Sequence, residues 1–249
     1  MRKKLQTTGF GLIIIGSEIL DGRFKDSHFE TAQGILAGNN FALLYTMILP
    51  DNPDILTGQL SWAMHNTEPF FCCGGIGGTP DDYTRQCAAR AAGVETELHP
   101  EGARILEDRF AGRITPDRLK MVEFPHGAKL IPNPVNGVPG FYINNGYFLP
   151  GFPSMATPMM QWVVQTIYES GSETRYEKII LPGAKEADLN PLMEQFIAEH
   201  PELTFSSLPR FVEDGTEVEL GIKGPPEAVS AGKHDLIRLL ETSIPHFLE

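Results

Sequence analysis

Residues 69–82 read PFFCCGGIGGTPDD and contain the clearest fold signal in the chain. They begin with a short apolar run that is typical of a strand buried on both faces. Four glycines then predict a sharp turn, because glycine adopts positive φ angles without a steric penalty. Thr79 is a good N-cap residue and Pro80 suits the first helical position, so we expect a helix from there to about Ala92.

The glycine-rich turn, formed by Gly74, Gly75, Gly77 and Gly78, is suited to binding a phosphate group. Glycines let backbone N–H groups approach a ligand, and the start of a following helix adds partial positive charge. The alternative is a tight turn without a ligand, but four glycines exceed what a turn needs. The P-loop and Rossmann patterns both fail, because no Lys follows these glycines and Pro80 stands where the third Rossmann glycine belongs.

Alternating strand and helix patterns extend on both sides of this segment. Ser27 and Glu30 form a capping-box pattern at the start of one helix. The predicted strands cover residues 10–15, 41–49 and 69–73, short strands and turns occupy 129–150, and the predicted helices cover 27–38, 53–66, 79–92, 99–122 and 155–169. This pattern is typical of a doubly wound α/β fold with a mostly parallel sheet.

The polar segment 170–173 reads as a linker, after which a strand, helix, strand, strand, helix pattern runs from residue 178 to about 241. We therefore expect two domains, residues 1–170 and 171–249. The second is expected to be a small α/β appendage with a βαββα order.

Asp81 and Asp82 directly follow the glycines and admit two interpretations. In the simpler one, they complement the helix dipole and form part of a capping box, which is worth about 0.3–1 kcal/mol. In the other, they hold a divalent cation such as Mg²⁺ that bridges them to phosphate oxygens. Without a cation the two carboxylates would repel a phosphate, and the spacing alone leaves both interpretations open.

Composition narrows the range of partners. The 249 residues include 20 Lys and Arg against 32 Asp and Glu, a formal net charge of −12. This balance excludes broad binding to nucleic acid or anionic membranes, which requires a basic surface. No stretch approaches the roughly 18 apolar residues of a membrane span. Three Cys without a metal-ligand spacing indicate a reducing compartment, so we expect a cytoplasmic protein.

Other polar residues give weaker signals. Glu18 follows the first strand and is a candidate for the site, although the residues after it also suit an ordinary turn. Cys72 and Cys73 are expected to be core residues. Ser154 has no G-x-S-x-G context, which argues against a hydrolase triad. The histidines show no ligand spacing, and three of them are expected at the surface: His28, His126 and His246.

Four segments together resemble a known family. Residues 74–85 resemble the GGxGxTPDDxTR signature of the MoaB/Mog, or molybdopterin-binding-type, domain, in the form found in the N-terminal branch of CinA proteins. Residues 16–22 resemble the family's GDE-[IL]-L-x-G turn, residues 132–141 its PNPxG…PGF segment, and residues 149–155 its LPGxPxEM segment. The tail resembles the segment that follows this domain in CinA-type proteins, and the C-terminal deamidase domain of full-length CinA proteins is not expected.

The resemblance implies a three-layer α/β/α sandwich that binds a phosphorylated pterin or nucleotide. It assigns phosphate binding to the glycine loop with Thr79, metal binding and catalysis to Asp81 and Asp82, and the opposite wall to Pro150, Gly151 and Ser154, with Asn133 as a further ligand-binding residue. Lys120 is either a phosphate neutraliser or an ordinary surface charge. Relatives of this kind are trimers or dimers, so self-association is implied as well.

The sequence departs from the family pattern at Ser17, where Asp is usual, and also at Gly78, Asn136 and Met155. These changes reduce the number of acidic side chains in the matched segments and leave the phosphate-binding glycines in place. Three functions follow as hypotheses. The first is divalent-metal-dependent hydrolysis of a dinucleotide pyrophosphate such as ADP-ribose. The second is binding or adenylylation of molybdopterin during molybdenum cofactor synthesis. The third is a non-catalytic ligand-binding module.

Overall fold

The computed structural model describes residues 3–111, 113–213 and 215–243. The chain divides into two compact units, Met1–Gly171 and Ser172–Glu249. Each unit has its own hydrophobic core, and each is described separately below.

The first unit is built around a six-stranded sheet with the order β2-β1-β3-β8-β7-β6. Strands β2, β1, β3 and β8 are parallel to one another, and β7 pairs antiparallel with β8 and β6. Strands β4 and β5 form a separate antiparallel pair. The strands are β1 Gly9–Ile15, β2 Ala42–Leu49, β3 Phe70–Cys73, β4 Thr96–Leu98, β5 Glu123–Pro125, β6 Lys129–Ile131, β7 Gly140–Ile143 and β8 Gly146–Leu149.

Helices cover both faces of this sheet, so the expected three-layer α/β/α sandwich with a mostly parallel sheet is confirmed. On one face α2 and α7 pack against Phe10, Leu12 and Ile14 of β1. On the other, α3 and α4 pack against Ile13 and Ile15 of the same strand. The helices are α1 Ser17–Leu20, α2 His28–Ala37, α3 Pro53–His65, α4 Thr84–Ala92, α5 Pro100–Phe110, α6 Pro116–Leu119 with a 3-10 turn at Lys120–Val122, and α7 Pro153–Ile167.

The second unit has the expected βαββα order. Its elements are β9 Arg175–Pro182, α8 Glu186–Glu199, β10 Thr204–Val212, β11 Gly215–Gly224 and α9 Pro226–Ser243. The three strands form an antiparallel sheet with β11 in the centre. Alternate residues of β11, namely Val218, Leu220 and Ile222, are buried in a core shared with α8 and α9.

The prediction that Thr79 caps a helix starting at Pro80 is wrong, because α4 begins at Thr84. The amide of Thr79 donates to the Asp82 carboxylate at 2.9 Å, and its hydroxyl donates to the same oxygen. The Asp82 amide in turn donates to the Thr79 carbonyl at 3.1 Å. These bonds close a turn over residues 79–82 and leave Thr79 unable to cap a helix.

The capping box predicted at Ser27 is also not formed, although α2 begins where it was expected. The Ser27 side chain makes no capping bond. Asp26 performs this role, because its two carboxylate oxygens accept from the amides of His28 and Phe29, each at 2.9 Å. The sequence pattern therefore located the start of the helix and misassigned the residue that caps it.

Candidate functional site

A cleft of about 600 Å³ lies at the carboxyl edge of the parallel strands, where loops that follow β1, β2, β3 and β8 converge. This edge is where open α/β sheets usually bind their ligands, and the volume is that of a typical small-molecule site. The residues predicted to bind ligand that line this cleft are Glu18, Gly74, Gly75, Gly77, Gly78, Thr79, Asp81, Asp82, Pro150 and Gly151.

The glycine loop after β3 forms one wall of the cleft and has a conformation that only glycine satisfies at two positions. Gly74 and Gly75 have φ angles of 111° and 65°. A Cβ on Gly74 would lie 2.4 Å from the carbonyl oxygen of Ile15, and one on Gly75 would lie 2.2 Å from Oγ1 of Thr84. The chain therefore turns sharply here and packs directly on β1 and α4.

Thr84, the first residue of α4, holds this loop in place. Its hydroxyl donates to the carbonyl of Gly74 at 2.9 Å, and its amide donates to the carbonyl of Gly75 at 3.0 Å. The side chain of Thr84 is fully buried. The hydroxyl and the amide of Thr84 are therefore occupied in positioning the loop. The amides of the loop itself are the donors that are available to a ligand.

Four successive backbone amides of the loop, those of residues 75–78, donate to no acceptor within the described part of the chain. The residues on either side do have partners, since the amide of Gly74 donates to Leu149 and that of Thr79 to Asp82. A row of free N–H groups on a glycine-rich turn is a common way to bind an anion. The geometry thus fits a phosphate group without any basic side chain.

Carboxylates line the rest of the cleft, and three of them already have structural partners. Asp26 caps α2, Asp82 binds Thr79, and Asp51 accepts from the amide of Ser17 at 2.8 Å. The other two are Glu18 and Asp81. The Glu18 carboxylate accepts no hydrogen bond from any residue that the structure describes. Asp81 is exposed, and hydrogen bonding to the Thr79 side chain lowers its pKa. Glu18 and Asp81 are therefore the cleft carboxylates least engaged in holding the fold together.

Ser17, which follows β1, connects the ends of β1 and β2. Its amide donates to Asp51 at 2.8 Å, and its hydroxyl accepts from the Asp51 amide at 3.0 Å. This reciprocal pair keeps the Asp51 carboxylate at the margin of the cleft. Ser17 therefore fixes the position of the Asp51 carboxylate.

His28 was expected at the surface and this prediction is wrong, because the residue is only 5% exposed. Nε2 of His28 lies 3.1 Å from the carbonyl of Gly151, which identifies Nε2 as the protonated nitrogen. Its Nδ1 atom is buried and has no hydrogen-bond partner among the residues described. His126 is exposed, as expected. His246 lies outside the described residues.

Asn133, Ser154 and Lys120 do not line the cleft. The Asn133 side chain accepts from the amide of Val135 and donates to Asn136, so it stabilises its own turn. Ser154 lies in the first turn of α7. Lys120 binds Asp117 at 2.8 Å, and this hydrogen bond raises the pKa of Lys120.

Arg85 is a residue whose position the sequence did not reveal. It is only 2% exposed, and its Nε and Nη1 atoms have no hydrogen-bond partner among the described residues. Desolvation lowers its pKa, and the nearby carboxylates of Asp82 and Glu123 act in the opposite direction. The buried guanidinium of Arg85 therefore partly offsets the negative charge of the Asp82 carboxylate.

Two exposed aromatic side chains, Phe24 and Phe152, also line the cleft and were not predicted.

Groups of three or more His, Cys, Asp or Glu side chains that could hold a metal ion do not occur in the searched residues. No helix in the described ranges is long and apolar enough to cross a bilayer. Cys72 and Cys73 are fully buried, which confirms their predicted role in the core.

The sandwich and its cleft define a class of small-ligand-binding α/β domain. A family model described as a probable molybdopterin binding domain matches residues 11–169, and the chain belongs to this family. This result confirms the resemblance inferred from the four sequence motifs.

Individual relatives support the same assignment. A CinA-like protein from Geobacter sp. (strain M21) is 31% identical over 212 residues, which cover 81% of this chain and 51% of that protein. A protein from Pyrobaculum arsenaticum is 30% identical over 218 residues, covering 83% of this chain and 82% of its own. The crystal structure of CinA from Thermoplasma acidophilum, described there as of unknown function, shares the fold with a TM-score of 0.59 at 23% identity, covering 64% of this chain and 99% of that one.

Proposed function

We propose that the cleft binds a phosphorylated nucleotide or pterin, and that the protein is a divalent-metal-dependent pyrophosphatase acting on an ADP-ribose-like dinucleotide. The observation that carries this proposal is the row of four amides at residues 75–78, which have no acceptor among the described residues and belong to a loop that lines a cleft of about 600 Å³. Such a row binds phosphate oxygens through directed N–H bonds. The cleft is several times larger than one phosphate, so it has space for the remainder of a nucleotide.

The charge of the cleft is the reason for including a cation. Five carboxylates and one lysine, Lys25, are among the described residues that line the cleft. An added pyrophosphate would therefore meet a strongly negative environment. The donor set is entirely oxygen, which suits Mg²⁺ or a similar hard cation. Because a cluster of three ligating side chains is absent from the searched residues, the cation would take one or two carboxylates and complete its shell with phosphate oxygens and water.

The individual residues then have separate roles. Amides 75–78 bind and orient the phosphates, and the loop stays rigid because Thr84 anchors it. Asp81 and Glu18 would hold the cation, and Asp82 would shape the turn by accepting from Thr79. A bound cation supplies neutralising charge to the phosphates and lowers the pKa of water. Hydrolysis adds one water across the P–O–P linkage, so ADP-ribose yields AMP and ribose 5-phosphate.

The test is an activity assay on the purified chain with ADP-ribose, FAD and NAD, each in Mg²⁺, Mn²⁺ or Co²⁺. We expect AMP release that requires the cation and falls at least about 100-fold in Asp81→Asn and Glu18→Gln. Glu107→Gln, on the exposed face of α5 and outside the cleft, is the matched control and should keep full activity.

Three other outcomes would redirect the proposal. Cation-dependent binding of ADP-ribose without turnover would leave a ligand-binding module. Adenylylation of molybdopterin by ATP would assign the protein to molybdenum cofactor synthesis. If calorimetry detects no binding of any of these ligands, the proposed site is wrong. Light scattering on the same sample tests the expectation, drawn from the resemblance, that the chain forms a dimer or trimer.

A further inference from the structure

The wall of the cleft includes two highly exposed aromatic side chains. Phe24 is 70% exposed and Phe152 is 67% exposed, and both line the cleft. A single exposed phenylalanine is ordinary, but two in the wall of one cleft leave a substantial apolar area in water. Burying that area against a ligand is favourable, so the pair needs a functional explanation.

The two phenylalanines and the glycine loop lie in segments that lead into helices on opposite faces of the sheet. Phe152 immediately precedes α7, and Phe24 lies four residues before α2; these two helices pack together on one face of the sheet. The glycine loop leads into α4, which packs on the other face. The cleft is therefore lined both by the glycine loop and by two exposed aromatic side chains from separate segments of the chain.

Backbone contacts fix these two aromatic segments without using the aromatic rings. The Phe24 amide donates to the carbonyl of Glu18 at 3.0 Å, and the Phe152 carbonyl accepts from the amides of Met155 and Ala156, both at 2.9 Å. His28 connects the two segments, because it begins α2 and its Nε2 lies 3.1 Å from the carbonyl of Gly151. Both side chains are thus carried on anchored backbone and remain largely exposed in the cleft.

We propose that Phe24 and Phe152 form a stacking subsite for a planar heterocycle carried by the phosphorylated ligand. The inference rests on the proposed function, since it assumes that the phosphates occupy the glycine loop. Phenyl rings stack on flat heteroaromatic systems through dispersion and quadrupole interactions, and phenylalanine adds no hydrogen bond that would select one base. The subsite therefore distinguishes ligands with an aromatic ring system from sugar phosphates and inorganic pyrophosphate.

The experiment measures dissociation constants by calorimetry for a non-hydrolysable methylene analogue of ADP-ribose, used in place of ADP-ribose itself, and for ribose 5-phosphate and inorganic pyrophosphate, with Mg²⁺ present. The variants are Phe24→Ala and Phe152→Ala. Phe29→Ala is the matched control, because Phe29 is a 45% exposed phenylalanine on α2 that does not line the cleft. We expect each cleft variant to weaken binding of the ADP-ribose analogue by about tenfold or more, and to leave the other two ligands within about twofold of the wild type.

Two results would overturn the stacking subsite. One is an affinity for the ADP-ribose analogue that is unchanged in both variants. The other is an equal loss for pyrophosphate, which would mean that the substitutions disturb the whole cleft. Adenosine and unsubstituted pterin separate this proposal from the phosphate site. If they bind the wild type and lose affinity in Phe152→Ala while pyrophosphate does not bind at all, the stacking subsite stands and the phosphate function fails.

Discussion

Gly75 lies at the centre of the glycine loop and combines a positive φ of 65° with a steric contact to Thr84. Gly22 has a similar φ of 72° but nothing within 4 Å of the position where a Cβ would lie. Replacing each with Ala separates backbone strain from steric overlap. Gly22→Ala should lower the free energy of unfolding by about 1 kcal/mol, the cost of the left-handed conformation alone.

Gly75→Ala should cost about 3 kcal/mol or more, because the overlap is with a buried, hydrogen-bonded side chain. Urea unfolding followed by tryptophan fluorescence measures both values, since Trp62 and Trp162 both lie in the first unit. Equal losses in the two variants would show that the loop shifts to accommodate a side chain, and would contradict the rigid loop described above.

Cys72 and Cys73 on β3 and Cys87 on α4 test the burial of these two elements. All three are free thiols and fully buried. Burial raises the pKa of each thiol, for Cys72 and Cys73 by a large margin, so the reactive thiolate is scarce at neutral pH. We expect none of the three to react with Ellman's reagent within minutes at pH 8 in the native protein, and all three to react in guanidinium chloride. Rapid labelling of one thiol in the native state would indicate local opening of β3 or α4.

Strand β11 of the second unit contains a carboxylate whose ionisation should contribute to stability. The Glu219 side chain is 4% exposed and accepts from Lys178 at 2.8 Å and Tyr176 at 2.9 Å, and it pairs with Arg210 at 3.0 Å. The hydrogen bond from Lys178, followed by that from Tyr176, lowers the pKa of Glu219 from its ordinary value of 4.5. Because folding lowers this pKa, the stabilisation is present above about pH 4.5 and is lost as the pH falls through the lowered value.

Glu219→Gln should therefore reduce the amide-exchange protection of β11 at pH 7, and the difference from the wild type should shrink at pH 3. Glu217→Gln is the control on the same strand, since Glu217 makes no ion pair with any described residue. A difference that persists unchanged at pH 3 would show that Glu219 acts through its shape and not through its charge.

The elements were largely predictable from sequence, whereas the contacts between loops were not. Apolar runs such as residues 10–15 and 69–73 fixed the buried strands, because a parallel sheet covered by helices requires them. Thr79 was misassigned because its local sequence fits an N-cap. Only the folded turn shows that the amide and the hydroxyl of Thr79 both donate to the Asp82 carboxylate. Phe24 and Phe152 are 128 residues apart, and no local pattern shows that their loops meet at one sheet edge.

At the scale of the whole molecule, every residue of the proposed site belongs to the first unit, Met1–Gly171. A ligand that binds only the folded form stabilises it by RT ln(1 + [L]/Kd), which is about 2.7 kcal/mol at 100 times Kd. With a non-hydrolysable methylene analogue of ADP-ribose and Mg²⁺ at that excess, amide exchange should slow in the glycine loop, β1, β3 and α4. Peptides from β9, β10 and β11 should exchange at unchanged rates and thus act as an internal control. Hydrogen exchange with mass spectrometry measures both units in one experiment, and slowing confined to the second unit would place the ligand outside the cleft.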